Sequence, residues 1–161
     1  MISALLLAVA TMSPEPLPTP QHLPIIAVHA PNATLRLQVA RTEDERERGL
    51  MSVTVLPAHT GMVFVFDQDA TVEFWMKDTL VPLDMVFVKG DGTVTSIARD
   101  VPVVPTDTPD EKIPRRDGMG TYVIELPGGE AVTDGIVPGI KLEELGALSV
   151  DYGTRRRDAD R

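Results

Sequence analysis

Apolar and polar residues alternate cleanly over Thr34–Ala40 (TLRLQVA). Leu35, Leu37 and Val39 fall on one side, Thr34, Arg36 and Gln38 on the other. That period of two predicts a half-buried strand. Thr42-Glu43-Asp44-Glu45 has the form of a capping box, which starts a short helix over Glu43–Arg48. Acids in its first turn and Arg46 and Arg48 in its last suit the helix dipole. Gly49 is placed to end it in a left-handed conformation.

Met62–Phe66 (MVFVF) is apolar on both faces and predicts a strand covered on both sides. Thr71–Lys77 sets Val72, Phe74 and Met76 against Glu73, Trp75 and Lys77. Asp84–Lys89 and Thr93–Ile97 flank Gly90-Asp91-Gly92, a hairpin turn in which glycine supplies positive φ. Thr121–Leu126 and Leu148–Asp151 read as further strands, with helical turns over Glu130–Asp134 and Leu142–Leu145. All four Phe and the single Trp fall within Phe64–Phe87, so the core is expected there. Short strands with few helices predict a mainly β fold, either a small β-barrel or a strongly bent antiparallel sheet with one to three short helices. Asp100–Gly120, with Pro102, Pro105, Pro109 and Pro114, predicts a long loop, either a lid over a site or a surface segment.

The ends read differently. Met1–Ala10 (MISALLLAVA) is apolar and uncharged, and Ala8-Val9-Ala10 has the A-x-A form of a signal-peptidase site, although a positive n-region is missing. The run is well short of the roughly 20 residues that span a bilayer, so no transmembrane span is expected. Thr11–Pro24 carries Pro14, Pro16, Pro18, Pro20 and Pro24, a density that favours extended polyproline conformations. The expected organisation is a leader over 1–10, a proline-rich spacer over 11–32, one β-rich domain over 33–152 and a charged tail over 153–161. This implies an exported protein, periplasmic or extracellular.

Charge and composition exclude several chemistries. A net charge of −9 with no basic stripe argues against nucleic acid, which requires clustered Lys and Arg. The chain has no Cys, which rules out thiolate catalysis, disulfides and Cys-ligated zinc. No Ser sits in a G-x-S-x-G elbow, and His22, His29 and His59 have no metal-ligand spacing. No cofactor or metal is expected from these patterns.

Five dense strings remain: Arg46-x-x-Gly49-Leu50-Met51, Gly61-Met62-x-Phe64-x-Phe66, Phe74-Trp75-Met76-Lys77-x-Thr79, Pro82-Leu83-Asp84 and Tyr122-Val123-Ile124-Glu125-Leu126. In this order they resemble the bacterial and archaeal family known as domain of unknown function 192, from about Leu35 to Val150. The resemblance implies export, which members of that family often show, and no assigned activity. The chain departs from the family pattern at Asp78, where Asn is expected, and at Ser52-Val53, where a basic residue is usual.

Arg46, Lys77, Thr79, Asp84 and Glu125 are the polar residues embedded in these apolar motifs. Buried charges need partners, so one reading is architectural, with Arg46 satisfying Asp84 or Glu125 and Lys77 meeting a carboxylate. A second is a pocket for a small polar ligand, or a contact for an envelope protein, formed by Arg46, Trp75, Lys77, Thr79, Asp84 and Glu125. A third is hydrolysis with Asp84 and Glu125 as an acid–base pair. Met51, Met62, Met76 and Met85 raise a fourth, Cu(I) held by thioethers, against the ordinary reading of methionine as core filler.

Overall fold

The computed structural model of the protein describes residues 17–148. The expected leader and charged tail lie outside them, as does nearly all of the last predicted strand. Leu148, its first residue, is helical, within turns spanning 143–148.

Strand β2 (Thr34–Ala40) and helix α1 (Glu43–Arg48) form where alternation and capping place them. Leu35, Leu37 and Val39 are buried. Thr42 Oγ1 accepts from the Glu45 amide at 3.2 Å, and Glu45 Oε2 accepts from the Thr42 amide at 2.9 Å, closing the box. Ahead of them lies β1 (Ile25–His29), within the stretch read from its prolines as spacer. It pairs antiparallel with β2 along its whole length.

The expected strands Met62–Phe66 and Thr71–Lys77 fall on one strand, β3 (Thr60–Trp75), which stops two residues short of Lys77. The polar segment between them is a bulge, where the pairing register shifts between Val65 and Ala70. A bulge bends the strand that carries it, and here the bend is large. Phe64 and Phe74 are ten residues apart, about 33 Å along an extended strand. Their rings nevertheless meet edge to face with centroids 4.8 Å apart.

The hairpin of β4 (Leu83–Val88) and β5 (Val94–Val101) turns through Gly92, whose φ is +89°. Loop 102–114, with a single 3-10 turn at Asp110–Lys112, leads into β6 (Arg115–Pro127). The long loop read over Asp100–Gly120 is thus shorter at both ends. Arg115–Gly120, despite its charges and glycines, pairs with the outer half of β3. The short helix α2 (Glu130–Thr133) follows.

The strands form one six-stranded sheet in the order β1-β2-β3-β6-β4-β5. The sheet is bent but does not close, because β1 and β5 remain as edges; it is therefore not a barrel. It is also mixed rather than wholly antiparallel, since β2 and β3 run parallel. α1 lies in their connection, as a parallel pair requires a crossover. Both faces are covered. One carries Val63, Val65, Val86, Tyr122, Ile124 and Leu126 against α2 and the following turns, and the other Met62, Phe64, Met85, Phe87 and Val123 against Leu50 and Met76. No helix of the described residues is long and apolar enough to cross a membrane.

Gly61 marks a close approach to β6. A Cβ there would lie 2.0 Å from the backbone oxygen of Glu125. Gly61→Ala is expected to destabilise the protein by roughly 3 kcal/mol or more, since backbone has to move. A urea midpoint within error of the wild type would show that the two strands are not held at this distance.

Candidate functional site

The curl of β3 leaves a cleft between its two ends and α1. Arg46, Glu47, Arg48, Gly49, Leu50 and Met51 form one wall, and Phe64, Phe74, Trp75, Lys77, Thr79 and Glu125 form the rest. Its free volume is about 30 Å³. Five of the six residues singled out in the sequence are therefore neighbours here: Arg46, Trp75, Lys77, Thr79 and Glu125.

Glu125 is the residue of the cleft that is hardest to explain by packing. It sits on β6 near the centre of the sheet, in register with Met62 on one side and Met85 on the other. Both methionines are fully buried, and Glu125 itself is 4 % exposed. Arg46 does not pair with it. That guanidinium donates instead to the carbonyls of Arg41 and, at 3.1 Å, Val65, and lies 5.1 Å from the Phe66 ring centroid. Loss of water around the Glu125 carboxyl pushes its pKa up from the ordinary 4.5 to about 8. At neutral pH it is accordingly a protonated acid, a hydrogen-bond donor under a rim that carries Arg46, Arg48 and Lys77.

Trp75 is not a bare platform. Lys77 Nζ lies 5.2 Å and the Arg115 guanidinium carbon 4.6 Å from its ring centroid. Both cations are also ion-paired: Lys77 with Asp110 at 2.9 Å, and Arg115 with Glu73 at 3.0 Å. The expected carboxylate partner of Lys77 thus comes from the 3-10 turn of loop 102–114. Thr79 is buried and donates to the Lys77 carbonyl at 3.1 Å, fixing the turn after β3. Asp78 in that turn has φ +49°, a left-handed conformation that Asn and Asp tolerate best among residues with a side chain. Asp is therefore a sound occupant where the family pattern suggests Asn.

Asp84 lies elsewhere. It follows Leu83 and precedes Met85, which face the cleft side, so its carboxylate points to the opposite face of the sheet from Glu125. The two cannot flank one substrate, and an acid–base pair built on them is ruled out by the pleat. Asp84 is fully buried, and its carboxylate accepts backbone N–H bonds from Asp100 at 2.6 Å, Gly129 at 3.0 Å and Ala131 at 2.8 Å. It fastens β5 and α2 to β4. Met62, Met76 and Met85 pack in the apolar cluster on the Glu125 face, while Met51 alone of the four proposed thioethers lines the cleft.

A second group of polar side chains was not expected from the sequence. His59 Nδ1 lies 2.8 Å from Asp134 Oδ1 and 2.9 Å from Glu130 Oε1. Partners 71 and 75 residues away leave no local spacing to recognise. The available signal was Glu130 and Asp134 themselves, four apart and therefore on one helical face.

Comparison with known proteins places this geometry in a family. The pattern of DUF192, described as "Uncharacterized ACR, COG1430", matches residues 25–144. The chain belongs to the DUF192 family. The match begins at β1 and ends beyond α2, so the described sheet is the family's domain. A solved structure from Novosphingobium aromaticivorans DSM 12444, a protein of unknown function, is 35 % identical with a TM-score of 0.62; the alignment covers 74 % of this chain and 84 % of that one. Another, from Sinorhizobium meliloti 1021 and described as a "putative transcription regulator", is 29 % identical with a TM-score of 0.65, over 76 % of this DUF192 chain and 95 % of that one. No curated protein matches the chain.

Two predictions follow from the carboxyls. Between about pH 4.5 and 8 folded Glu125 keeps a proton that the unfolded chain releases, so its contribution to stability falls as pH rises through that window and is flat above it. Glu125→Gln is expected to remove several kcal/mol of this decline, seen as urea midpoints that converge with the wild type near pH 5 and exceed it near pH 9. Parallel pH profiles would refute it. Asp84→Ala leaves three buried N–H groups without an acceptor and is expected to cost about 3 kcal/mol or more; a smaller loss would mean that water replaces the carboxylate.

Proposed function

We propose that this DUF192 protein is a binding module that takes the anionic end of a small polar ligand into the cleft over Glu125. The observation that carries the reading is a carboxyl group almost wholly buried, without a side-chain or backbone partner among the described residues, in a cleft whose lining carries three cations, Arg46, Arg48 and Lys77, against one further acid, Glu47. A buried polar group without a partner costs stability, and a site for something else is one reason to keep it. In its protonated form Glu125 donates to an anionic oxygen, while the positive rim attracts the charge.

The size of the cleft limits what enters. About 30 Å³ has room for one or two water-sized groups. A carboxylate or similar terminal group fits, with the remainder of the ligand outside, along Trp75 and the α1 wall. A sugar ring does not fit, and the cations already against Trp75 compete for its faces. Export is part of the same reading, supported by the apolar MISALLLAVA segment and its A-x-A end. The designation of the Sinorhizobium protein is not transferred, because a chain of net charge −9 repels nucleic acid.

Trp75 is the only tryptophan of the chain and lines the cleft, so its fluorescence reports occupancy. Titration with formate, acetate and inorganic phosphate is expected to give a saturable change with at least one of them. Affinity is expected to fall about tenfold per pH unit above about 8, as Glu125 loses its proton. Glu125→Met, similar in volume but without a donor, is expected to abolish the response, and Glu125→Gln to make it independent of pH. No saturable response in the wild type, or an equal one in Glu125→Met, would overturn the reading.

A further inference from the structure

We propose that His59, Glu130 and Asp134 form a site for a divalent cation of zinc or manganese type, separate from the cleft. One donor atom from each of His59, Glu130 and Asp134 lies within 4.8 Å of the other two. One imidazole and two carboxylates are the mixed nitrogen and oxygen donors that borderline and hard divalent ions take, and the set lacks the soft sulfur ligands that select Cu(I).

Ordinary hydrogen bonding leaves this cluster incompletely satisfied. A single imidazole nitrogen faces two carboxylate oxygens, at 2.8 and 2.9 Å, and has at most one proton to share between them. Even a protonated His59 would leave the group with one excess negative charge. The side chain of Asp134 is 1 % exposed, and its second oxygen, Oδ2, is buried with no hydrogen-bond partner among the described residues. Such a carboxylate oxygen is costly unless a cation or donor meets it. A divalent ion among the three side chains would answer the first deficit, and the second when Asp134 binds it through both carboxylate oxygens.

The supports of the cluster are in place before any ion arrives. The amides on either side of Glu130, those of Gly129 and Ala131, are fastened to the buried Asp84 carboxylate. The Asp134 amide donates to the Glu130 carbonyl at 2.8 Å, and the Asp134 carbonyl accepts from Asn32 at 3.1 Å. His59 is held by its carbonyl, which accepts from the Arg36 amide at 2.8 Å, and by its own amide, 3.3 Å from Glu130 Oε1. Its ring is 46 % exposed. In a tetrahedral site with ordinary bond lengths the donor atoms stand about 3.3 Å apart. Entry of the ion therefore needs a retreat of the exposed imidazole by about half an ångström, with the buried Asp134 staying fixed. The exposed side of the imidazole leaves a coordination position for water.

The test uses the full chain, stripped with chelator, titrated with zinc and separately with manganese by calorimetry. The imidazole resonances of His22, His29 and His59 are followed by NMR during the zinc titration. One ion per chain is expected, with the His59 Nδ1 resonance shifted, the others unmoved, and a rise in thermal midpoint of about 5 °C under saturating zinc. Glu130→Gln, at a partly exposed position, is expected to keep the metal-free midpoint, whereas His59→Ala also takes the partner from buried Asp134 Oδ1 and is expected to lower it; both are expected to weaken zinc at least about tenfold. Absence of uptake, or uptake that leaves the His59 resonance unmoved or survives in His59→Ala, overturns the proposal. A further variant, His29→Ala, controls for the His29–Glu144 pair and is expected to leave zinc binding as it was.

Discussion

The carboxylate of Asp84 holds this fold together where three elements meet. It is buried, acidic and, among the described residues, bonded only to main-chain amides, one from the end of β5 and two from the start of α2. Hydrogen bonds to an ionised acceptor are about twice as strong as neutral ones. Backbone amides are also fixed donors, so the same bonds set where α2 begins. Asp100, one of the three donors, has φ +46°, a conformation unusual for a residue with a side chain. The acceptor opposite its amide is what makes that turn tolerable. The approach is close on the other side too, where a Cβ at Gly128 would lie 2.5 Å from Asp100 Oδ1.

The two faces of the sheet divide the polar groups by role. Asp84, on the α2 face, is satisfied within the fold, and Glu125, on the cleft face, is not. Neighbouring strands place the two close together in the lattice of hydrogen bonds, yet the pleat sends their side chains apart. A charge kept in a core for architecture collects amides, whereas a carboxyl kept neutral by an apolar shell collects none and retains its capacity to donate.

Much of this was legible in the residues. Alternation located β2, the capping box located α1, and the diglycine turn located the β4–β5 hairpin, because each depends on a few neighbouring residues. The motifs also gathered Arg46, Trp75, Lys77, Thr79 and Glu125, which the curl of β3 brings to one cleft. What failed to show depends on distant parts of the chain. β1 is a short edge strand in a proline-dense neighbourhood, and its pairing is with β2 rather than with its own composition. Asp67, Gln68 and Asp69 read as a break between two strands because a bulge and a loop have the same residues; Asp69 is in fact tied to Thr121 and Gly90 across the sheet. The face taken by Asp84 required the exact start of β4, and the ring of His59 meets its carboxylates only after the sheet has formed.

The order of the strands also governs how the chain can assemble. β3 and β6 are central partners, but the whole β4–β5 hairpin and loop 102–114 separate them in sequence. Until Thr121–Leu126 is available, the apolar run MVFVF has a parallel neighbour on one side and an open row of amides and carbonyls on the other. A chain interrupted before that point exposes a sticky template, the kind that pairs with other chains. Folding is therefore committed late, and a chain lacking β6 cannot be a smaller version of the same domain.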